Sequence, residues 1–292
     1  MQDEQTAFMP HNPRYSEDLR QLAAEAFDLS SRLCGSCRDL HALWPYIRLS
    51  RASTGIEDQA SNLEAQLGDL FSRGLRDILI AGSADSGLLA LVARVGAHHA
   101  PRIVVLDICE TPLELCRRFA NQWSLSIETL RQDLLDLDVE RRFDIVLVHG
   151  TLQFIAANRR VEALARIRRA IRPGGRLVLL FNTSHPVAAE DAEQIRADYA
   201  NSVVDELRRL NVSLPVTEVA MRERLYAHAR RRELREGAFA EREDVERALH
   251  AVGFKVDSCA EVDVKIASSV RGFVSKILKR RFMAIAAPND AI

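Results

Sequence analysis

The sequence predicts an α/β protein built on an open, doubly wound and mostly parallel β-sheet. Between residues 76 and 184, short apolar runs of strand length alternate with helical patterns. Strands that are separated by helices of about 10–15 residues pair in parallel through right-handed crossovers. Charged helical patterns without strands lie before this stretch and after it. We therefore expect a sheet core with an N-terminal helical layer and a helical insert after the fifth strand.

The first strand of this core, residues 76–81, runs directly into a turn of small residues from Gly82 to Gly87. A helical pattern follows, and the next strand, residues 103–106, ends on an acid, Asp107. A tight turn and a carboxylate after the following strand are how an open parallel sheet holds an adenosine, because the acid accepts from the ribose hydroxyls. The sequence therefore predicts a nucleotide-like cofactor.

The remaining strands of the core follow the same alternation. We predict strands at Ser126–Arg131, Phe143–Val148 and Arg176–Phe181, then at Phe254–Cys259 and Arg281–Ala286. We predict core helices at Pro112–Trp123 and Arg159–Ile171, the second of which is stopped by a Pro-Gly-Gly run. An acid, Asp133, stands just past the third strand.

The flanking regions read as helices. Before the core we expect a loose tail over residues 1–13 and three helices, the first capped by Ser16 and the third opened by a capping box from Thr54 to Glu57. After strand five we expect helices at Glu190–Leu210, Glu218–Leu234 and Arg242–Val252. We divide the chain into an N-terminal helical segment (1–73), a cofactor-binding core (74–184), a helical insert or substrate cap (185–253) and closing strands (254–292).

The bulk properties exclude several classes of function. The chain has 292 residues and a net charge of −1, so no overall field attracts nucleic acid or an anionic membrane. Its first twenty residues are too polar for a secretory signal, and its apolar runs are too short to cross a membrane. Five cysteines without regular spacing argue against a disulfide framework. We therefore expect a cytoplasmic protein.

Six short motifs occur in a familiar order. They are the Gly82 turn, Asp107, Asp133, Phe143-Asp144-Ile145-Val146, Ile171-Arg172-Pro173-Gly174-Gly175-Arg176-Leu177 and Leu249-His250-Ala251-Val252-Gly253-Phe254. Together they resemble the class I S-adenosylmethionine-dependent methyltransferases over roughly residues 75 to 290. The resemblance implies a Rossmann-like sheet with a terminal antiparallel strand. It also implies S-adenosyl-L-methionine as cofactor and S-adenosyl-L-homocysteine as product.

The same resemblance implies a set of cofactor-binding residues. Asp107 is similar to the acid that binds both ribose hydroxyls, and Asp133 to the acid that accepts from the adenine amino group. The full set is Gly82, Ser83, Ala84, Asp85 and Gly87 at the methionine end, with Asp107, Ile108, Asp133, Leu134, His149, Gly150 and Phe154.

The glycine turn departs from the family pattern. Ile80 stands where the family usually has an acid, and Ala84 and Ser86 replace two glycines. We expect Asp85 to compensate for the lost acid. A carboxylate in this loop would also repel a pyrophosphate and suit a sulfonium or an ammonium group, which favours S-adenosylmethionine over a dinucleotide independently of the resemblance.

Methyl transfer is an in-line displacement, so positioning supplies most of the catalysis and a base is needed only for a protonated acceptor. His149 after strand four and His185 after strand five are the candidate catalytic residues. The alternatives are that His149 caps its strand or packs beside the adenosine, and that His185 is solvated in a loop. Candidate substrate contacts are Trp44, Tyr46, Asn182 and Tyr226.

Two further motifs have residue types that are found in functional sites, but we interpret both as parts of ordinary helices. Cys34-x-x-Cys37 with His41 has the spacing of metal ligands, but only three ligands are local and the segment reads as helical, so we predict no metal site. The arginine-rich helix at residues 222–235 is interleaved with glutamates and has no aromatic stacking platform. We therefore expect a solvated helix and no nucleic-acid partner.

The resulting hypothesis is an enzyme that methylates oxygen, nitrogen or sulfur of a small molecule under a helical roof that excludes water. One alternative is an RNA or protein methyltransferase that uses the arginine helix. Another is a non-catalytic binding protein with a degenerate cofactor site. The N-terminal helices are equally compatible with a homodimer, through exchange between subunits, and with a monomer.

Overall fold

A computed structural model describes residues 13–51, 55–183, 189–233, 239–262 and 280–289. The chain separates into two compact units. Among the described residues, the helical unit comprises 13–51, 55–60 and 189–233, and the sheet unit comprises 61–183, 239–262 and 280–289.

The described helices and strands alternate through the middle of the chain. The helices are α1 (Pro13–Leu33), α2 (Arg38–Leu49), α3 (Ala60–Ser72), α4 (Gly87–Val95), α5 (Glu110–Gln122), α6 (Arg160–Ala170), α7 (Ala189–Arg209), α8 (Glu218–Glu233) and α9 (Arg242–Ala251). The strands are β1 (Asp77–Ala81), β2 (Arg102–Asp107), β3 (Ile127–Arg131), β4 (Phe143–His149), β5 (Ile171–Asn182), β6 (Phe254–Glu261) and β7 (Arg281–Pro288).

The strands form one sheet in the order β3-β2-β1-β4-β5-β7-β6. The first five strands pair in parallel, as β1 does with β2 and with β4. β7 is antiparallel to both β5 and β6. The predicted fold class, a mostly parallel Rossmann-like sheet with a terminal antiparallel strand, is confirmed.

The core of the sheet unit lies along the central strands. β1 is buried over its full length, as are residues 145–148 of β4 and residues 177–181 of β5. Strands that are buried on both faces read as continuous apolar runs, which is why these segments carried the strongest sequence signal. Helix α6 and helix α9 pack against this core through Leu164, Ile167 and Leu249.

The helical unit has a core of its own, to which α1, α2, α7 and α8 all contribute. Leu43, Ile47, Val203 and Leu207 are fully buried in it, and Tyr46 is 1% exposed. Arg224 of α8 stacks over the Phe27 ring of α1 at 5.2 Å from its centroid. Every helix in the described ranges is too short or too polar to span a lipid bilayer.

The structure corrects two predicted boundaries. α1 begins at Pro13, so Ser16 lies inside its first turn and is not the residue that precedes the helix. Proline is favoured at a first helical position because its missing N–H has no partner there in any case. β5 begins at Ile171, five residues before the predicted start, and a register shift opposite Phe143 and Ile145 accommodates the Pro-Gly-Gly run.

Candidate functional site

The candidate site lies at the carboxyl edge of the parallel strands in the sheet unit. From β1 the chain continues to β2 and β3 on one side, whereas β4 and β5 lie on the other side. Ligands of open α/β sheets bind where the strand order reverses in this way. β1 and β4 are the neighbours at that point, and the loops after them begin at Gly82 and Gly150.

Gly82 is required by both its conformation and its surroundings. Its φ is +85°, a left-handed conformation that glycine adopts without strain. A Cβ at this position would lie 2.4 Å from Oγ1 of Thr151, which itself donates to the Ala81 carbonyl over 2.8 Å. Thr151, in the loop after β4, thus covers the turn after β1. Thr151 is not among the predicted site residues, because a single threonine after a strand has no sequence pattern that indicates a function.

Asp107 is fixed by two backbone N–H groups, one from the turn after β1 and one from the residues that follow β2. One carboxylate oxygen accepts from the Ser83 N–H over 2.9 Å, and the other accepts from the Cys109 N–H over 2.7 Å. Asp107 is the last residue of β2 and remains half-buried. The structure therefore brings the predicted ribose acid and the predicted glycine turn into direct contact.

Asp85 has a structural role in the same turn. It is 4% exposed, and its Oδ1 accepts from the Gly87 N–H over 2.7 Å at the start of α4. The Ser83 hydroxyl donates to the Asp85 carbonyl over 2.5 Å. These bonds give the turn a defined shape although Ala84 and Ser86 replace the two family glycines.

Asp133 ends the loop after β3 in a similar way. Its Oδ1 accepts from the Leu135 N–H over 2.9 Å and caps a short 3₁₀ turn at Leu134–Asp136. Asp133 is half-buried, whereas the neighbouring Leu134 is 4% exposed and packs in the core. Asp133 and Asp107 therefore stand at the ends of adjacent strands, each with a carboxylate held by local backbone amides.

Two large apolar side chains at this edge are exposed. Ile108, next to Asp107, is 64% exposed, and Phe154, in the loop after β4, is 48% exposed. Exposed aliphatic and aromatic groups beside fixed polar ones are typical of a ligand site. His149 is the half-buried last residue of β4, and Gly150, with φ +68°, donates its N–H to the Leu180 carbonyl over 2.9 Å.

The other predicted site residues are distributed over both units. Asn182 ends β5 at the same carboxyl edge. Trp44, Tyr46 and Tyr226 belong to the helical unit and pack in or against its core, where burial raises the pKa of Tyr46 to about 12. His185 lies outside the described residues.

Two arginines of α8, Arg222 and Arg231, form ion pairs within the helical unit. Arg222 donates to Asp205 over 3.0 Å and to Glu218 over 3.2 Å, and Arg231 donates to Asp39 over 2.6 Å. Arginines that are held by carboxylates of their own chain have less capacity for phosphates. These contacts favour the interpretation of α8 as a packed and solvated helix.

The opposite, amino edge of the sheet carries a network of ion pairs. Asp77 accepts from Arg102 over 2.6 Å and also contacts Arg172, and these arginines, Arg102 first, lower the pKa of Asp77 to about 2. Asp144 accepts from the Arg76 and Asp77 N–H groups over 2.8 and 2.9 Å. The acid of the Phe143-Asp144 motif therefore joins β4 to β1, a role that its sequence context did not predict.

Comparison with known proteins identifies the part of the chain that contains this site. Residues 78–175 match the model of a family described as "Methyltransferase domain". These residues form a class I S-adenosylmethionine-dependent methyltransferase domain. The domain runs from β1 to the start of β5 and includes Gly82, Asp107 and Asp133.

The relatives of this methyltransferase domain include carboxy-S-adenosyl-L-methionine synthases. The chain is 34% identical to that of Pseudomonas fluorescens (strain Pf0-1) over 99 residues, which are 32% of the chain and 38% of the relative. It is 26% identical to that of Wolinella succinogenes over 178 residues, which are 61% of the chain and 67% of the relative. The Pseudomonas alignments thus span less than half of the relatives' length.

Solved structures share the fold of the domain. The phosphoethanolamine N-methyltransferase 2 of Haemonchus contortus, solved with S-adenosyl-L-methionine, aligns with a TM-score of 0.55 at 12% identity over 90% of this chain and 60% of that one. The 1,6-didemethyltoxoflavin-N1-methyltransferase of Burkholderia thailandensis aligns with a TM-score of 0.51 at 15% identity over 94% and 89% of the two chains.

Proposed function

We propose that the chain binds S-adenosyl-L-methionine at the carboxyl edge of its sheet and transfers the methyl group to a small-molecule acceptor. The observation that carries the proposal is the Asp107 carboxylate, fixed by the Ser83 and Cys109 amides next to the left-handed Gly82 turn. An acid in this position, after the second strand of a methyltransferase domain, is suited to the two ribose hydroxyls.

The chemistry of the two carboxylates suits this role. Each carboxylate oxygen has two lone pairs and can accept more than one hydrogen bond, from backbone N–H groups and from a hydroxyl or an amino group. Asp107 would bind the ribose and Asp133 the adenine amino group. The exposed Ile108 side chain, with Phe154, would supply apolar surface for the purine.

The Gly82–Gly87 turn would hold the methionine end of the cofactor. Gly82 allows the backbone to approach a ligand closely because it has no Cβ. Ser83 and Ala84 lie half-exposed on the turn, while Asp85 and Gly87 hold its shape through the bond between them. The negative charge of Asp85 close to this turn favours a cationic sulfonium or ammonium group over a phosphate.

Transfer breaks the bond between sulfur and the methyl carbon and forms a bond from that carbon to the acceptor. The sulfur keeps the electron pair and becomes the neutral thioether of S-adenosyl-L-homocysteine. Where the acceptor atom carries a proton, a base must remove it. Among the described residues, His149 at the end of β4 is the candidate for this general base. Asn182 at the end of β5, and His185 shortly after it in the chain, are further candidates for acceptor contacts.

A second candidate function comes from the relatives. Their name describes the synthesis of a carboxylated S-adenosyl-L-methionine, a reaction in which the cofactor itself is modified. Both functions use the same nucleoside and both depend on Asp107 and Asp133. They differ in the product, since methyl transfer leaves S-adenosyl-L-homocysteine and carboxylation leaves a heavier S-adenosyl-L-methionine derivative.

Mass spectrometry of the nucleoside products tests the proposal. The purified protein is incubated with S-adenosyl-L-methionine and pools of small alcohols, phenols, amines or thiols, or with a pool of small carboxylic acids that can donate the carboxyl group of the second reaction, with Asp107→Ala as a control. Formation of S-adenosyl-L-homocysteine together with a methylated acceptor supports methyl transfer. Formation of a carboxylated nucleoside supports the second function. If neither product is detected with any pool, the result contradicts both activities.

A further inference from the structure

Three potential metal ligands meet where α1 ends and α2 begins in the helical unit. The Sγ atoms of Cys34 and Cys37 and a ring nitrogen of His41 all lie within 4.8 Å of one another. His41 is 4% exposed, whereas the two cysteines are half-buried. The two cysteines are therefore partly accessible to solvent, whereas His41 is buried.

The local backbone explains why the three side chains converge. The Cys34 N–H closes the last turn of α1 by donating to the Ser30 carbonyl over 3.2 Å, and the Arg38 N–H donates to the Gly35 carbonyl over 3.2 Å. α2 then starts directly after Cys37, and the His41 N–H donates to the Cys37 carbonyl over 3.3 Å. Residues separated by four positions on a helix lie on one face, so Cys37 and His41 are neighbours.

This geometry removes one of the reasons for expecting no metal. The helical conformation predicted for residues 34–37 is wrong. The residues form the turn between two helices, because Gly35 and Ser36 are poor helix formers and Cys37 has φ −85° and ψ 3°. A C-x-x-C pair in a turn, with the next ligand on the following helix, is a common arrangement in zinc sites.

The donor atoms of the three side chains limit which metal ion the cluster can bind. Two thiolates and one imidazole are soft to borderline donors that suit Zn²⁺ and not Mg²⁺ or Ca²⁺. Bond lengths of about 2.3 Å to sulfur and about 2.0 Å to nitrogen place tetrahedral ligands roughly 3.5–3.8 Å apart. The ligand atoms of the cluster lie within 4.8 Å of one another and would need to approach by about 1.3 Å at most, which side-chain rotation about Cα–Cβ can supply.

We propose that the helical unit binds one Zn²⁺ through Cys34 Sγ, Cys37 Sγ and a ring nitrogen of His41. Binding converts two thiols to thiolates and releases their protons to solvent. The ion joins the end of α1 to the start of α2, so it stabilises the helical unit. The proposal does not depend on the methyltransferase activity.

The first test is a metal titration of the full chain. The reduced protein, freed of metal by chelation, is titrated with Co²⁺, whose thiolate complexes absorb in the near ultraviolet and whose tetrahedral complexes have intense visible bands. We expect one equivalent of Co²⁺ to produce both signals and one equivalent of Zn²⁺ to abolish them. We also expect Zn²⁺ to raise the Tm, since a ligand that binds only the folded state stabilises it.

Matched variants assign the ligands. Cys34→Ser, Cys37→Ser and His41→Asn should each weaken Zn²⁺ binding at least tenfold, and the two cysteine variants should lose part of the charge-transfer absorption. Cys259→Ser is the control, since Cys259 is a half-buried thiol of the sheet unit; this variant should bind Zn²⁺ like the wild type.

Two results would overturn the proposal. One is a reduced wild-type protein that shows no thiolate-to-cobalt absorption at any Co²⁺ concentration. The other is full retention of that absorption in a folded Cys34→Ser/Cys37→Ser double variant. The wild-type titration requires no substitution, so it decides the question even if a variant fails to fold.

Discussion

The backbone N–H of Ser83 donates to a carboxylate oxygen of Asp107 over 2.9 Å, which joins the loop after β1 to the end of β2. The second oxygen of the same carboxylate accepts from Cys109. The acid that would bind the ribose is thus positioned before any ligand arrives. Such preorganisation reduces the entropy that binding must offset. The affinity of the site should therefore depend strongly on this one side chain.

Gly82→Ala should destabilise the sheet unit by about 1–3 kcal/mol, because it places a Cβ at φ +85° and against Thr151. The free energy of unfolding in urea measures the effect. Gly68→Ala is the matched control, since Gly68 lies in α3 with open space around it and an added methyl there should be neutral or stabilising by up to about 1 kcal/mol. Equal effects of the two substitutions would contradict the role assigned to Gly82.

Thr151→Ala in the Gly82→Ala background separates the two causes. Removing the threonine hydroxyl and methyl relieves the collision but leaves the left-handed strain at residue 82. We expect the double variant to recover part of the lost unfolding free energy, and a double-mutant cycle measures the coupling. Strict additivity of the two single changes would show that the predicted collision does not matter.

Asp133→Ala should lower the affinity for S-adenosyl-L-homocysteine about tenfold or more, since hydrogen bonds to charged groups contribute about 1.5–3 kcal/mol. Asp136→Ala is the control, because Asp136 is an exposed acid on the same short turn. Titration calorimetry compares the two variants. An equal loss of affinity in both would indicate a general charge effect, and no loss in Asp133→Ala would remove that residue from the site.

Asp77 should make the stability of the chain depend on pH in the acid range. Its pKa is lowered from 3.8 to about 2, first by Arg102 and then by Arg172. A carboxyl with a depressed folded-state pKa contributes stability that is present above pH ~4 and is lost as the pH falls towards 2. The contribution should be on the order of 1–2 kcal/mol.

Asp77→Asn tests this contribution. Unfolding free energies between pH 7 and pH 2 should fall less steeply with acid in the variant than in the wild type, and the two curves should converge near pH 2. Asp69→Asn is the control, because the Asp69 side chain is 60% exposed and its ion pair within the described residues is with the exposed Arg73 at 3.5 Å. Parallel curves for wild type and Asp77→Asn would contradict the assignment.

The sequence predicted the sheet unit well because its signals are redundant. Buried parallel strands read as apolar runs, and the acids at Asp107 and Asp133 follow strand ends that the alternation had already located. The position of the unusual turn after β1 was also predicted correctly. In this turn the Asp85 carboxylate accepts a hydrogen bond from the Gly87 N–H at the start of α4.

The features that the sequence did not predict depend on local geometry or on distant partners. Gly35 and Ser36 interrupt two helical patterns without a proline to mark the break, so the turn at Cys34–Cys37 read as helix. Thr151 and Asp144 form hydrogen bonds with residues in or next to β1, which lie about 70 positions earlier in the chain. No periodicity in a single sequence encodes such pairs.

Calorimetric titration with S-adenosyl-L-homocysteine tests the central claim most directly. We predict micromolar binding by the wild type, a loss of about tenfold to hundredfold in Asp107→Asn and no detectable binding in Asp107→Ala, with unfolding in urea used to confirm that each variant is folded. A folded wild-type protein that does not bind S-adenosyl-L-homocysteine, or a folded Asp107→Ala variant that binds it equally well, would contradict the account.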